Sequence, residues 1–400
     1  MILFAPKEID SREARAAITP VTAKRLVDKG ITIIVEKGIG ELSNYPDKEY
    51  LESGAQLTTD RTKALSESDI IFRVRKPSID EIKITKEGCI HLSFLDPFND
   101  SDLLELMASQ GITSISLEMI PRTTLAQKMD ALSSQANISG YTSVIYAAEK
   151  LDKVLPMMMT PAGTISPAKF FIIGIGVAGL QAIATAKRLG ARVTAFDVRQ
   201  EALEQAESLG AKALRIDLGE NANEEGQVYA KELTPEQLDK QREAQAKVCE
   251  DSDVVITTAK VFGRRSPILL KTDVVDRMKH GSIVVDLAAE TGGNVEGTVL
   301  DEEFVTNNGV RIIGLSNFES MASHHASQVF SANLGSFIEH FWNEEEKKIN
   351  LDLGDEILSG CVLTNNKKIV HEKFIDKLIK NQNGNHITTI YICIGGFFRI

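Results

Sequence analysis

The feature that most constrains this chain is a strand–turn–helix–strand pattern over residues 170–197. A short apolar strand (170–173) leads into three spaced glycines, then an alanine-rich helix and a second strand. Gly174 permits the tight turn, Gly176 lets the backbone approach a pyrophosphate, and Gly179 allows close packing of helix on strand. The order of these elements, more than the glycines alone, predicts a parallel sheet with a dinucleotide at the N-terminus of the helix.

Asp197 ends the second strand of this pattern. A carboxylate there accepts hydrogen bonds from an adenosine ribose and repels a 2′-phosphate, which favours NAD(H) over NADP(H). Arg199 could pair with such a phosphate, although an exposed arginine at the start of a loop is the plainer interpretation. The cofactor contacts predicted from this pattern are Gly174, Gly176, Val177, Ala178, Gly179, Asp197, Val198 and Arg199.

Bulk properties exclude several classes of protein. A net charge of −11 in 400 residues, without a dense Lys/Arg stripe, argues against a nucleic-acid partner. Four cysteines without C-x-x-C spacing indicate neither a metal site nor a disulfide framework. The longest uncharged apolar run, 387–398, is shorter than the roughly 20 residues of a membrane-spanning helix. We therefore expect a soluble chain that binds no metal.

The chain alternates strand and helix patterns twice, once over its first 130 or so residues and again from Lys169 to about residue 316. Short buried strands separated by amphipathic helices are typical of a parallel, doubly wound sheet. The predicted fold class is α/β, with two doubly wound Rossmann-like domains and a cleft between them. We place the first domain at 1–135, completed by 320–370, the NAD(H)-binding domain at 136–319, and a C-terminal tail at 371–400.

Three further segments have distinct patterns. Residues 122–150 are interpreted as a polar loop that passes into a long helix. The polar stretch 217–250 is predicted to be a mobile loop around Tyr229, followed by a charged helix. An amphipathic helix is expected at Ala326–His340, and short strand-like pieces are expected at 357–363 and 367–370.

Two long strings of the chain carry a family likeness. Residues 122–141 and 157–191 closely resemble the NAD-binding part of proton-translocating NAD(P) transhydrogenase α subunits. Shorter matches at 6–20, 257–260 and 284–294 extend the resemblance over roughly residues 1–365. The resemblance implies that the chain binds NAD(H) and exchanges hydride with NADP(H) held by a partner subunit.

The resemblance also implies which residues serve the transfer. Hydride passes directly from one nicotinamide to the other, so catalysis reduces to positioning two rings and excluding water. Four polar residues match the family's cluster at the hydride-transfer face: Arg122, Gln127, Asp130 and Ser133. Asp130 and Ser133 could instead merely cap a helix. Further cofactor contacts implied by the family are Tyr229, Ala259 and Lys260, and the departures from its pattern are Leu125, the 226–229 loop and the 260–267 loop.

Alanine dehydrogenase is the related family with the same fold, and it implies different chemistry. Its members share Arg15, but Arg75 stands where they have a carboxylate-binding lysine. Leu95 stands where they have a catalytic histidine, and His91 lies four residues earlier. Oxidative deamination needs a proton acceptor, so an alanine-type dehydrogenase is the less favoured alternative. A non-catalytic NAD-sensing module is another.

By the same resemblance, the chain would form a homodimer. It would dock against an NADP-binding membrane β subunit, alongside a transmembrane subunit, as a peripheral chain on the cytoplasmic face of the inner membrane. The chain ends before the transmembrane helices that follow in longer α subunits. We therefore expect either a separately encoded subunit or a truncated one.

Overall fold

The computed structural model describes residues 1–217 and 234–375. Two of the sequence predictions therefore lie outside the described residues: the loop around Tyr229 and the apolar run 387–398. The described chain divides into two compact units. Unit 1 comprises Met1–Leu132 with the residues from Ser323 on, and unit 2 comprises Ser133–Ala322.

The first part of unit 1 alternates strands with helices. Its elements are β1 (Ile2–Ala5), α1 (Pro20–Asp28), β2 (Thr32–Glu36), α2 (Asp47–Glu52), β3 (Gln56–Thr58), α3 (Arg61–Glu67), β4 (Ile70–Phe72), α4 (Ile79–Ile84), β5 (Ile90–Ser93), α5 (Ser101–Ser109) and β6 (Thr113–Ser116). Local sequence explains several boundaries. Proline opens α1, and a capping box between Ser78 and Glu81 opens α4. Gly30, at φ +87°, follows α1 and turns the chain into the next strand.

Unit 2 begins within a long helix and then repeats the alternation. Its elements are α6 (Ala131–Lys150), β7 (Met158–Thr160), β8 (Gly163–Ile165), β9 (Lys169–Ile173), α7 (Val177–Arg188), β10 (Arg192–Phe196), α8 (Gln200–Ser208), β11 (Lys212–Ala213), α9 (Pro235–Asp251), β12 (Val254–Thr257), α10 (Thr272–Asp276), β13 (Ile283–Asp286), β14 (Glu303–Val305) and β15 (Arg311–Ile313). The long helix after residue 130 and the charged helix before residue 251 are as predicted.

The chain then returns to complete unit 1. The returning elements are α11 (Ser323–Phe341), β16 (Trp342–Asn343), β17 (Lys348–Ile349), α12 (Glu356–Cys361), β18 (Val362–Asn365) and β19 (Lys368–Ile369). Most of the segment predicted to be strand-like at 357–363 is helical, so that prediction was wrong. The physical reason is Asp355, whose side chain accepts hydrogen bonds from the N–H groups of Ile357 and Leu358 and so starts a helix.

The two large sheets share one strand order. In unit 1 the order is β3-β2-β1-β4-β5-β6, all parallel, with β18 and β19 added antiparallel at the edge. In unit 2 it is β11-β10-β9-β12-β13-β15, all parallel, with β14 antiparallel at the edge. Both sheets are doubly wound around their first strand, which is the Rossmann order. The predicted fold class of two doubly wound α/β domains is confirmed, whereas the cleft remains a prediction.

Each sheet is buried in its own core. Beyond their first residues, β1 and β9 are buried, as at Leu3 and Phe171, which are both wholly inaccessible to solvent. In unit 1 the returning helix α11 contributes Phe330, Leu334 and Phe337, all fully buried in the core around β1. Unit 1 therefore needs residues from both ends of the sequence to form its core.

Candidate functional site

The turn between β9 and α7 can be built only with glycine at two positions. Gly174 has φ +93°, and a Cβ there would lie 2.7 Å from the Thr258 hydroxyl. A Cβ on Gly179 would lie 2.0 Å from the carbonyl oxygen of Gly174. Both distances are shorter than any side chain tolerates, so these glycines hold the helix against the end of the strand.

Gly176 differs from its two neighbouring glycines. A Cβ added there would meet nothing within 4 Å, and its backbone has an ordinary negative φ. It is the N-cap of α7, and in the described part of the chain no side chain caps this helix. The first turn of a helix presents N–H groups without intrahelical partners and the positive end of the dipole. Val177 and Ala178, the first helical residues, therefore present N–H groups without intrahelical partners beside Gly176, and their contact with a pyrophosphate stays a prediction.

The loop after β12 borders the same point, because β12 lies beside β9 where the strand order reverses. The Thr258 hydroxyl donates to the carbonyl oxygen of Gly174 at 2.8 Å, which ties the two loops together. Ala259 and Lys260 follow directly, so they stand next to the glycine turn. In an open parallel sheet, ligands bind at this reversal.

Asn294 holds the backbone of the loop at Ala259 through side-chain hydrogen bonds. Its side-chain oxygen accepts from the Ala259 N–H at 3.0 Å, and its side-chain nitrogen donates to the carbonyl oxygens of Ala259 and Pro267. Asn294 is fully buried, and its own N–H donates to Asp286 at 2.8 Å. The buried pair therefore sets the position of the backbone at Ala259.

The carboxylate of Asp197 lies beside the glycine turn. One oxygen accepts from the Ile175 N–H at 2.7 Å and from the Arg199 Nη2 at 3.0 Å. The other accepts from the backbone N–H and the Nε of Arg199, at 2.9 and 3.0 Å. Burial acts to raise the pKa of Asp197, but these hydrogen bonds outweigh it and hold the pKa below its usual value. Asp197 is therefore ionised at neutral pH and acts only as an acceptor.

The loop at 122–130 is anchored within unit 1. Ala126 and Met129 are buried in the core, and the side-chain nitrogen of Asn333 donates to the carbonyl oxygen of Lys128 at 2.8 Å. This anchoring leaves the side chains of Arg122 and Gln127 exposed.

Asp130 directly precedes α6 and Ser133 lies in its first turn. The division between the two units falls just before Ser133. The role of Arg122, Gln127, Asp130 and Ser133 in hydride transfer stays a prediction.

The positions that would hold an amino-acid substrate in an alanine dehydrogenase are filled by the chain itself. Arg15 binds Glu13 through two nitrogens, at 2.7 and 2.6 Å, and Arg75 binds the same carboxylate at 2.9 Å. The Glu13 side chain is wholly inaccessible. Both arginines therefore already hold an internal carboxylate.

The histidine nearest to the expected catalytic position is not a usable base. Leu95 is fully buried, and His91 is buried within β5 with its Nε2 3.1 Å from the Ser93 hydroxyl. Burial, assisted by the charge of Arg73, lowers the pKa of His91 to about 3. His91 is therefore a neutral core residue.

Sequence reasoning missed three residues of this site: Thr258, Asp286 and Asn294. Apart from the family resemblance, their sequence signal was the Gly292–Gly293 pair before Asn294. Both glycines have positive φ, +98° and +77°, and so turn the chain sharply just before Asn294, which contacts Ala259. The family resemblance covers 257–260 and 284–294, but it assigned no role to Thr258, Asp286 or Asn294.

Two features are absent from the part of the chain that the structure describes. Across residues 1–217 and 234–375, no helix is both long and apolar enough to cross a membrane. Across the same residues, no three or more His, Cys, Asp or Glu side chains are grouped to hold a metal ion.

Comparison with known proteins assigns both parts of the chain to one family. Residues 4–139 match the family described as alanine dehydrogenase/PNT, N-terminal domain, and residues 143–372 match alanine dehydrogenase/PNT, C-terminal domain. The chain is 40% identical over 375 residues to the first part of NAD(P) transhydrogenase subunit alpha from Rickettsia prowazekii, covering 93% of this chain and 96% of that protein. The protein of the same description from Rhodospirillum rubrum is 39% identical over 379 residues, covering 93% and 98%.

Solved structures give the same grouping. The crystal structure of transhydrogenase from Sinorhizobium meliloti is 41% identical with a TM-score of 0.83, and the match covers 92% of this chain and 100% of that one. An L-alanine dehydrogenase structure is 23% identical with a TM-score of 0.77, covering 95% and 99%, and shares the fold. The chain therefore belongs to the alanine dehydrogenase/PNT family, and within that family it is more similar to these NAD(P) transhydrogenase α subunits than to the L-alanine dehydrogenase.

Proposed function

We propose that this chain is the NAD(H)-binding subunit of a proton-translocating transhydrogenase. It passes hydride between its own NADH and NADP⁺ bound on a partner subunit, and the transfer is coupled to proton movement across the membrane. The observation that carries the proposal is the glycine turn of unit 2. It combines open space beside Gly176, an uncapped helix N-terminus and an ionised carboxylate at Asp197.

Different residues of unit 2 then bind different parts of the nucleotide. The N–H groups at Val177, Ala178 and Gly179 receive the pyrophosphate, and Asp197 receives the adenosine ribose. Val198 and Arg199 border that ribose, and Ala259 and Lys260 border the remainder of the nucleotide. When bound, the nicotinamide supplies or accepts the hydride, and the chain supplies only position and shelter from water.

Arg122, Gln127, Asp130 and Ser133 are the residues we assign to positioning the nicotinamide. The fixed backbone of the 122–130 loop supports this role, because a buried anchor on each side of Gln127 limits how far that side chain can move. A shift of about 1 Å in a reacting atom can cost on the order of a hundredfold in rate.

The chemistry of unit 1 favours transfer over amino-acid oxidation. Arg15 and Arg75 are bound to Glu13, so neither offers a free guanidinium to a substrate carboxylate. Leu95 supplies no proton acceptor where deamination needs one. Direct hydride transfer needs neither group.

For partners, we propose a homodimer that docks, on the cytoplasmic face of the inner membrane, against an NADP-binding β subunit and a transmembrane subunit. The homodimer is supported by the hairpin of β7 and β8, an apolar element that points into solvent. Met159 is 84% exposed, and Met157 and Ile165 are also exposed. An apolar projection of this kind is typical of a contact between protein chains. The description of similar proteins as subunits supports a complex with further subunits.

Two assays on the complete chain test the proposal. The first titrates NADH and then follows hydride transfer from NADH to NADP⁺ in the presence of the membrane partner. The second supplies NAD⁺ with alanine, or NADH with pyruvate and ammonia, and follows NADH absorbance. We expect binding and transfer in the first assay and no turnover in the second. Turnover of alanine would indicate a dehydrogenase, and binding without transfer would indicate an NAD-sensing module.

A further inference from the structure

The carboxylate of Asp197 has no acceptor position left for a ribose. It accepts four hydrogen bonds, two on each oxygen, from Ile175 and Arg199. A carboxylate offers about four lone-pair positions. A ribose hydroxyl can therefore reach Asp197 only if one of the present donors leaves.

The four donors are not equally free to leave. The Ile175 N–H belongs to the glycine turn, and the Arg199 N–H belongs to the N-cap of α8, so both are fixed by the backbone. Only the guanidinium nitrogens of Arg199 can swing away, and that side chain is 55% exposed whereas the Asp197 side chain is 8% exposed. The guanidinium also donates to the carbonyl oxygen of Ile175 at 3.0 Å, and this bond would be lost with the others.

We infer that Arg199 is a specificity-determining residue that competes with the adenosine ribose for Asp197. This inference rests on the proposed function, because it takes the nucleotide to bind at the glycine turn. When NADH binds, the side chain of Arg199 leaves the carboxylate, and the ribose hydroxyls take the acceptor positions it vacates. The two backbone donors stay in place and keep Asp197 oriented.

The same movement has a second consequence for a nucleotide that carries a 2′-phosphate. Asp197 repels that phosphate, but the released guanidinium is a good partner for it, since arginine binds phosphate through paired N–H groups. Arg199 therefore weakens the binding of NADH and strengthens the binding of NADPH. Arg199 therefore reduces the preference for NADH over NADPH that Asp197 alone would impose.

The test compares Arg199→Met with the unmodified chain by calorimetric titration of NADH and NADPH. Methionine keeps an unbranched side chain and removes every donor. We expect NADH to bind about threefold to fivefold tighter, the range that an exposed ion pair allows. We expect NADPH to bind several-fold more weakly. NADH binding that is unchanged or weaker in Arg199→Met would overturn the inference, because Arg199 would then support the ribose site.

Two controls separate this effect from others. Arg192→Met removes an exposed arginine from the opposite end of β10, so it reports the loss of one positive charge alone. An NADH analogue that lacks the adenosine 2′-hydroxyl should gain less from Arg199→Met than NADH does, and an equal gain would contradict the competition. If the unmodified chain binds no NADH at all, the proposed function fails, which is a different result from a failure of this inference.

Discussion

The sheets of the two units have the same strand order. They differ in what lies at the point where that order reverses: open space in unit 2 and buried charged side chains in unit 1. In unit 2 the turn after β9 is a glycine turn with open space beside it. In unit 1 the corresponding place between β1 and β4 is filled by charge. Arg73, 2% exposed, donates to Glu8 and to Glu81, and Glu8 also accepts from the Val74 N–H at 2.7 Å.

The difference shows that a reversal of strand order is not enough to form a ligand-binding site. The first strand of unit 2 is followed at once by a helix whose N-terminus is uncapped. The first strand of unit 1 is followed by Pro6 and a long segment before α1, so no helix directly follows that strand at the reversal. The residues after the strand decide whether the place binds a ligand or is filled by the chain.

The largest effect should come from breaking the charge cluster of unit 1. Arg73→Met leaves Glu8 and Glu81 buried without their main partner, and the loss of one member of a buried ion pair costs about 3–5 kcal/mol. Urea unfolding should show this loss in the free energy of unfolding. The double variant Arg73→Met/Glu8→Gln should recover part of it, because one uncompensated charge is gone. A single variant as stable as the unmodified chain would refute the idea that charge holds this region together.

The buried charges of unit 1 should also make the stability of the protein depend on pH, through Glu13. Burial acts to raise the pKa of Glu13, but Arg15 and Arg75 outweigh it and lower the pKa to about 2. Since the folded pKa lies below the unfolded value, Glu13 stabilises the fold above about pH 4.5 and loses that contribution as the pH falls toward 2. The amount is on the order of 3 kcal/mol.

The measurement is unfolding free energy against pH for the unmodified chain and Glu13→Gln. The variant should be less stable at pH 7 and should lose less stability as the solution is acidified through the folded pKa of Glu13. Glu118, whose pKa burial raises, remains in both proteins and so cancels in the comparison. Glu8 does not cancel fully, because the charge of Glu13 is one of the causes that raise its pKa, and that contribution is absent in Glu13→Gln. Parallel curves for the two proteins would show that Glu13 is not the titrating group.

The glycine turn of unit 2 offers a matched pair of substitutions. Gly179→Ala places a Cβ 2.0 Å from a carbonyl oxygen and should cost about 2–3 kcal/mol of unfolding free energy. Gly176→Ala meets no atom within 4 Å, so it should fold normally but bind NADH roughly tenfold more weakly. Thermal unfolding and NADH titration on both variants separate the two roles. Normal NADH affinity in Gly176→Ala would remove the pyrophosphate from this turn.

The 122–130 loop tests what unit 1 contributes to turnover. Gln127→Asn should leave NADH affinity nearly unchanged, because the proposed pyrophosphate and adenosine contacts lie in unit 2. The rate of transfer to a partner-bound nicotinamide should fall on the order of a hundredfold. Stopped-flow transfer and equilibrium titration, with Arg122→Ala and Asp130→Asn alongside, measure the two effects. Transfer at the full rate in all three variants would make the loop a structural connector.

The smallest effect expected from these comparisons of the two units is the cofactor preference set by Asp197. We expect NADH to bind at least tenfold tighter than NADPH, which is about 1.4 kcal/mol. Asp197→Ala should narrow the gap, because it removes both the acceptor for the ribose and the repulsion of the phosphate. Competitive titration of the two nucleotides measures it. Equal affinities in the unmodified chain would defeat the assignment of Asp197.

Local patterns in the sequence were enough to predict most of the fold. The apolar run at 170–173 and the second strand at 192–196 were located because buried parallel strands are short, apolar and followed by a turn. The glycine spacing predicted the turn itself, since each glycine answers a backbone requirement of its own immediate neighbourhood. The helix at 356–361 was missed because its start depends on one capping side chain within an apolar stretch that also suits a strand.

By itself, the sequence determined the α/β class and the doubly wound alternation, and it predicted the residues that a dinucleotide would contact. The tertiary structure decided which of those residues have partners. It brought Arg75 onto Glu13, 62 positions away, and Asn294 onto Ala259, 35 positions away. It also gave all the acceptor positions of Asp197 to Ile175 and Arg199. Spacing along a chain specifies turns and periods, whereas a charge or an amide takes whichever partner the folded backbone places within about 3 Å.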